Sequence, residues 1–230
     1  MKIGSMERLL ALSIAAALAG CGGSDSTTTT TPPASATPQT TVGQITGFGS
    51  IYVNGVEYDT DGASYEVDDE SASGDDALAV GMVVKIQGSV NANGTTGQAD
   101  SVSYDDDIEG AVADLATDMN DPNVKTFKVM GVSVRATSTE TNFEGEDDPD
   151  FSFDTILEGD VVEVSGEFNG DVLFASYIEK QDALDDEFEA KGTVDQYNSS
   201  DAFVLVLRNG STLDVTIAPG AVIPSAGVAD

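Results

Sequence analysis

From residue 42 onward the chain is written in short apolar runs, alternating or continuous, broken by glycine and by Asn-Gly pairs. Runs of this length, rich in Val, Ile, Tyr and Phe and bounded by turn residues, predict β-strands. One run returns. Residues 78–88 (LAVGMVVKIQG) recur as residues 156–166 (ILEGDVVEVSG), with Gly81 and Gly88 displaced equally to Gly159 and Gly166. Each copy opens on apolar residues and turns at its first glycine. Each then passes through a β-branched strand interrupted by Lys85 or Glu163, and closes on its second glycine. The pattern predicts the central strand of a small β-module, built twice and begun a third time.

The segments around that strand repeat as well. Asn-Gly occurs at Asn54-Gly55, Asn93-Gly94, Asn169-Gly170 and Asn209-Gly210. Three of these lie between strand-like runs, where the pair suits a type I′ hairpin because both central residues need positive φ. Residues 127–134 hold the corresponding hairpin of the second module, with Met130 in place of Asn. Each module opens with a glycine inside a strand (Gly47, Gly110, Gly192), where a bulge or bend is expected. Residues 114–126 stretch the opening loop of the second copy. The order is strand, two-stranded hairpin, acidic loop, central strand, final strand. The expected fold is all-β: tandem small five-stranded, partly closed OB-like barrels, since closure hides sheet edges. A flat open sheet is the alternative. The modules span 42–105, 106–183 and, incompletely, 188–230. The third has no central strand, so either the sequence is part of a longer protein or the half-module packs on the second barrel.

The first twenty residues stand apart. Two basic residues, Lys2 and Arg8, precede a short apolar run from Leu9 to Leu18, which reads as a cleaved secretory signal and is too short for a permanent span. It ends in Leu18-Ala19-Gly20-Cys21, which resembles the bacterial lipobox, so Cys21 is the expected lipidation site and the lipid bilayer an expected partner. By resemblance to bacterial sorting rules, Gly22 after the cysteine implies the outer membrane, with the chain facing the periplasm or the cell surface. Residues 21–41 are Ser, Thr, Pro, Gly and Ala with little else, and predict a disordered tether. Twenty such residues span about 25 Å as a relaxed coil. Cys21 is the only cysteine, so no disulfide forms within one chain.

The run from Gly47 to Asp59 (GFGSIYVNGVEYD), followed by the Gly-x-Val-Val-x-Ile-x-Gly strand at residues 81–88, resembles a bacterial repeat known as domain of unknown function 5666. The resemblance covers residues 43–182 as two copies and 188–230 as an incomplete third. It implies secreted lipoproteins with tandem OB-like barrels, and it brings no catalytic residues.

The formal charge of -32 opposes nucleic acid, whose phosphates it repels. With no His and no Trp, a Ser-His-Asp triad or a His-containing zinc site cannot be assembled. Carboxylate pairs, as in glycoside hydrolysis, remain, but exposed acids lack the raised pKa of a general acid. No enzyme is expected. Calcium is the cofactor weighed, because oxygen ligands abound. Three acidic stretches qualify, at residues 59–70, 105–107 and 144–150. The last is preferred, with Glu144, Glu146, Asp147, Asp148 and Asp150 as ligands fixed by Pro149, Phe151 and Phe153; a solvated acidic turn is the alternative. The expected function is a non-enzymatic envelope lipoprotein binding a protein, glycan or cation, or else a structural spacer without a specific ligand.

Overall fold

The computed structural model of the chain describes residues 36–145, 147–181, 188–199 and 202–221. Cys21, the signal segment and residues 21–35 of the tether lie outside them. The described residues form strands, turns and a single short 3-10 turn at Asp75–Ala77, with no α-helix.

The first sheet holds Thr37–Gly47 (β1), Ile51–Val53 (β2), Val56–Asp59 (β3), Ser64–Val67 (β4), Glu70–Ala72 (β5), Val83–Val90 (β6) and Thr96–Tyr104 (β7). Its strands run β3-β2-β1-β6-β7, and a parallel pairing of β3 with β7 closes the ring into a five-stranded barrel. Alternation along each strand sends Ile45, Ile51, Val53, Val84, Ile86 and Val102 inward, together with Tyr58 and Tyr104. The buried Tyr58 hydroxyl is satisfied by Thr41 at 2.7 Å.

Two readings of this region are corrected. The tether expected to run to residue 41 does not include its last residues, because Thr37 to Thr41 pair with Val90 to Ile86 of β6. A long central strand offers ladder positions, and β-branched threonines suit them. The acidic stretch at residues 59–70 is not one loop. It contains β4 and the start of β5, paired as a hairpin whose two turn residues, Asp68 and Asp69, hold φ of 48° and 62°. Short polar side chains tolerate this left-handed conformation.

The second sheet holds Ile108–Ala111 (β8), Ala113–Thr117 (β9), Val124–Val129 (β10), Val132–Thr137 (β11), Asn142–Gly145 (β12), Val161–Asn169 (β13) and Val172–Lys180 (β14). It repeats the first: β13 pairs with β8 and β14, and β11 lies parallel to β14. The opening loop expected over residues 114–126 is mostly ladder, since β9 pairs with β10. The first strand is instead split at Val112. Val112 donates to the Asp160 carbonyl at 2.8 Å and accepts from the Gly159 amide at 2.9 Å, as Ile45 does with Met82 at 2.8 Å and Gly81 at 2.9 Å. The repeated bulge is equally plain. Register shifts fall between Gln87 and Gly88 in β6 and between Ser165 and Gly166 in β13. A Cβ on Gly88 would lie 2.1 Å from the Gln98 carbonyl oxygen, and one on Gly166 2.2 Å from that of Phe174.

Turn chemistry follows the Asn-Gly rule once among its three expected uses. Asn54 and Gly55 have φ of 52° and 77°, as do Met130 and Gly131 at 49° and 86°. In the β13–β14 turn Asn169 pairs with Val172, so Gly170 and Asp171 form the loop and Gly170 alone has positive φ. At Asn209-Gly210 the loop is one residue longer, the Leu207 amide donating to Ser211 and Gly210 alone taking positive φ.

Glu189–Ala190 (β15) pairs with β8, and Thr193–Ser199 (β16), Ala202–Val206 (β17) and Thr212–Thr216 (β18) make a three-stranded sheet. Leu205 and Leu207 are buried in the core of the second barrel, with Phe203, Leu213 and Val215 packed beside them. The half-module therefore lends its apolar face to barrel 2.

Candidate functional site

The two central strands have equal patterns and unequal surroundings. In β6 the outward-facing Lys85 and Gln87 are exposed, whereas in β13 the equivalent Glu163 and Ser165 are buried, Ser165 completely. Barrel 1 sits on that face. The Val83 amide donates to Ser165 Oγ at 3.0 Å, and Ser176 Oγ donates to the Gly81 carbonyl at 2.6 Å. Gly81 is required twice over, by a φ of 108° and by a backbone approach that would leave a Cβ 2.5 Å from the Ser176 carbonyl oxygen. Tyr177, from β14 of the second barrel, is packed into the core of the first.

Buried acids gather at this junction. Tyr104, at the end of β7, hydrogen-bonds Glu163 Oε1, and Gln181 Nε2 donates to Glu163 Oε2 at 3.1 Å. Burial pushes the Glu163 carboxyl up to about 8; the Tyr104 hydrogen bond opposes this, and the negative charges of Asp68, Asp106 and Glu179 add to it. The same burial, with the charge of Glu163, raises the Tyr104 phenol well above its ordinary value. Asp106 and Asp107, in the short link between the barrels, are each raised to about 6, chiefly by burial.

Both link acids have a basic neighbour from the third module. Lys191 Nζ forms an ion pair with Asp106 Oδ1 at 3.0 Å. Burial works against the Lys191 ammonium, yet Asp106, Glu189 and Asp105 outweigh it and hold its pKa above the ordinary lysine range. The pair is lopsided because Lys191 draws on several carboxylates, including Asp68 at 3.4 Å, and Asp106 on one cation. Arg208 pairs with Asp107 at 2.9 Å, and the Gly166 amide donates to the same carboxylate at 3.1 Å.

Above these pairs opens a cleft of about 550 Å³, walled by all three modules. Val42, Phe168, Val206 and Leu207 give it apolar surface, and Lys85, Lys191 and Arg208 stand against residues 105–107. Three of the nine basic residues in the chain thus meet in one place. Glu163 lies beneath barrel 1, outside the lining of this cleft.

The family model described as domain of unknown function (DUF5666) matches twice, over residues 41–103 and 109–179, together more than half of the chain. The chain belongs to the DUF5666 family. The matched spans coincide with the two barrels and leave β15 to β18 unmatched. No curated protein matches the chain, and no solved structure does.

Outside the junction, the described acids of residues 144–150 have partners of their own or face solvent. Glu144 accepts from the Tyr177 hydroxyl at 3.2 Å, and Asp148 is paired with Lys180 at 3.1 Å. Asp147 and Asp150 are exposed, and Glu146 lies outside the described residues. Phe151 and Phe153 are buried, edge-on to Phe143. Among the described residues no three acidic side chains converge to hold a metal ion. Lys180 also reaches Asp160 at 3.2 Å.

Sequence reasoning singled out Glu163 only as an interruption of an apolar strand and missed Tyr104, Lys191 and Arg208. The available signal was the mismatch between Lys85 and Glu163 at one position of the repeat. It shows that the two outward faces differ, and leaves open which is covered.

Proposed function

We propose that the chain is a non-enzymatic, lipid-anchored envelope protein whose tandem barrels hold a protein partner in the cleft where the modules meet. Cys21 supplies the anchor and residues 21–35 the spacing. The cleft carries the reading: it combines apolar surface with charges of both signs in a chain otherwise dominated by acid. That mixture suits a peptide segment bearing apolar side chains and at least one charge. A bare cation would leave Val42 and Phe168 unused, and a neutral glycan would leave the charges unused. The spacer reading is favoured by the tight seating of barrel 1 on β13, where Val83 and Gly81 are hydrogen-bonded to Ser165 and Ser176.

Two measurements test this. Cys21→Ser should move the protein from the membrane fraction to the soluble one, and retention on membranes would refute the anchor. Val42→Glu, at a half-exposed cleft position, should abolish saturable capture of an envelope protein by the immobilised chain. Equal capture by both chains would remove the cleft from the reading, and the absence of saturable capture by the wild type would leave the spacer.

A further inference from the structure

We propose that Glu163 is a proton-operated latch between the two barrels: neutral, it lies sealed under barrel 1, and on ionisation it weakens the seat of barrel 1 on β13. The inference does not depend on what the cleft binds.

The geometry has three parts. First, Glu163 faces the neighbouring barrel from the middle of a strand buried on both sides, with 9% of its surface exposed. Second, its hydrogen-bond partners span the junction: Tyr104 belongs to barrel 1, and Gln181 follows β14 of barrel 2. Third, the charged groups around it are mainly acidic. Glu109 of β8 and Glu179 of β14 are its cross-strand neighbours. Asp68, from the β4–β5 turn, and Asp106, from the link, add like charge. Lys191, the cation paired with Asp106, has its ammonium engaged by Asp68, Asp105, Asp106 and Glu189. A carboxylate here would be desolvated, faced by like charge and supported by two neutral donors. A carboxylic acid keeps both partners without the charge, its own O–H donating to the Tyr104 hydroxyl oxygen while Oε2 still accepts from Gln181.

The sign follows from the elevated value near 8. Between the ordinary glutamate pKa and that value the folded chain holds a proton that the unfolded chain has released, so stability falls as pH rises and levels off above it. Asp106 and Asp107 act in the same direction but finish near pH 6. Tyr104 and Lys191 titrate above the range. The interval from about 6.5 to 8 therefore isolates Glu163.

Thermal melting of the full chain in detergent, at steps from pH 5 to 9.5, tests the latch. The wild type should lose roughly 3 °C or more per pH unit between about 6.5 and 8, then flatten. Glu163→Gln, which keeps the shape without the acid, should remove that fall and keep, below pH 6, only the share that Asp106 and Asp107 supply. A wild type with no fall, or a variant with the same fall, overturns the proposal. Should the variant fail to fold, carbon-13 spectra of the wild-type glutamate carboxyls decide. One resonance titrating near 8 supports the latch, and ordinary titration of all of them overturns it. Hydrogen exchange at the Val83 amide, bonded across the junction, should lose protection above pH 8 relative to Val164, which is bonded within barrel 2. Equal change at both would assign the effect to general unfolding and overturn it.

Discussion

Gly88→Ala tests the repeated bulge most directly. Gly88 has no positive φ, so alanine there meets no intrinsic backbone penalty; the obstacle is wholly steric. The new Cβ would sit 2.1 Å from the Gln98 carbonyl oxygen and 3.0 Å from the Ala99 Cα, both backbone atoms that no rotamer change can move. Relief requires β6 and β7 to separate locally. Overpacking costs about 1–3 kcal/mol, and each ladder hydrogen bond lost adds about 1 kcal/mol. A total of about 3 kcal/mol corresponds to a melting temperature lower by roughly 6–12 °C for a domain pair of this size. Gly94→Ala is the control. Gly94 has a φ of 73° with nothing within 4 Å of the added atom, so only the left-handed backbone cost of about 1–2 kcal/mol applies. Scanning calorimetry of both variants compares the two costs. Equal melting of the two, or an unchanged Gly88→Ala protein, would refute the reading of Gly88 as a sterically required bulge residue.

Two further predictions concern the junction. Ser165→Ala removes the acceptor of the buried Val83 amide and should cost about 1–3 kcal/mol, seen as faster exchange of that amide. Tyr177→Ala, although made in barrel 2, should speed exchange in β6 and β7, because its ring belongs to the core of barrel 1. A loss of about 3–5 kcal/mol is expected, and faster exchange confined to β13 and β14 would show the ring packs elsewhere.

The repeat was legible because burial imposes period two on every strand: Val84 and Ile86 alternate with Lys85 and Gln87 as Val162 and Val164 do with Glu163 and Ser165. Glycine spacing carried the bulges for the same reason, since a close backbone approach excludes a side chain in both copies. What escaped was local or distant. Asp68 and Asp69 read as loop because aspartate marks turns of every kind, and nothing in composition separates a hairpin turn from a solvated acidic run. Thr37 to Thr41 read as tether because threonine is common to both disordered and strand segments, and the partner strand lies some fifty residues away. The expectation that the acids would be exposed failed at Glu163, Asp106 and Asp107, because solvent exposure of an outward face depends on what docks there.

That last point connects the fold to the charge. A five-stranded barrel has an inner face set by its own strands and an outer face set by its neighbours. At Lys85 the neighbour is the open cleft, and a cation there is exposed and shares the lining with Asp105, Asp106 and Asp107. At Glu163 the neighbour is another barrel, and the same position must hold a group that is neutral or fully compensated. Compensation is scarce in a chain with nine basic and forty-one acidic residues, and Lys191, which pairs with Asp106 of the link, is shared among four carboxylates. Neutralisation by a proton is the remaining route. The neighbouring acids therefore add to burial in raising the proton affinity of Glu163, which ties the strength of the seat between the barrels to the pH around them.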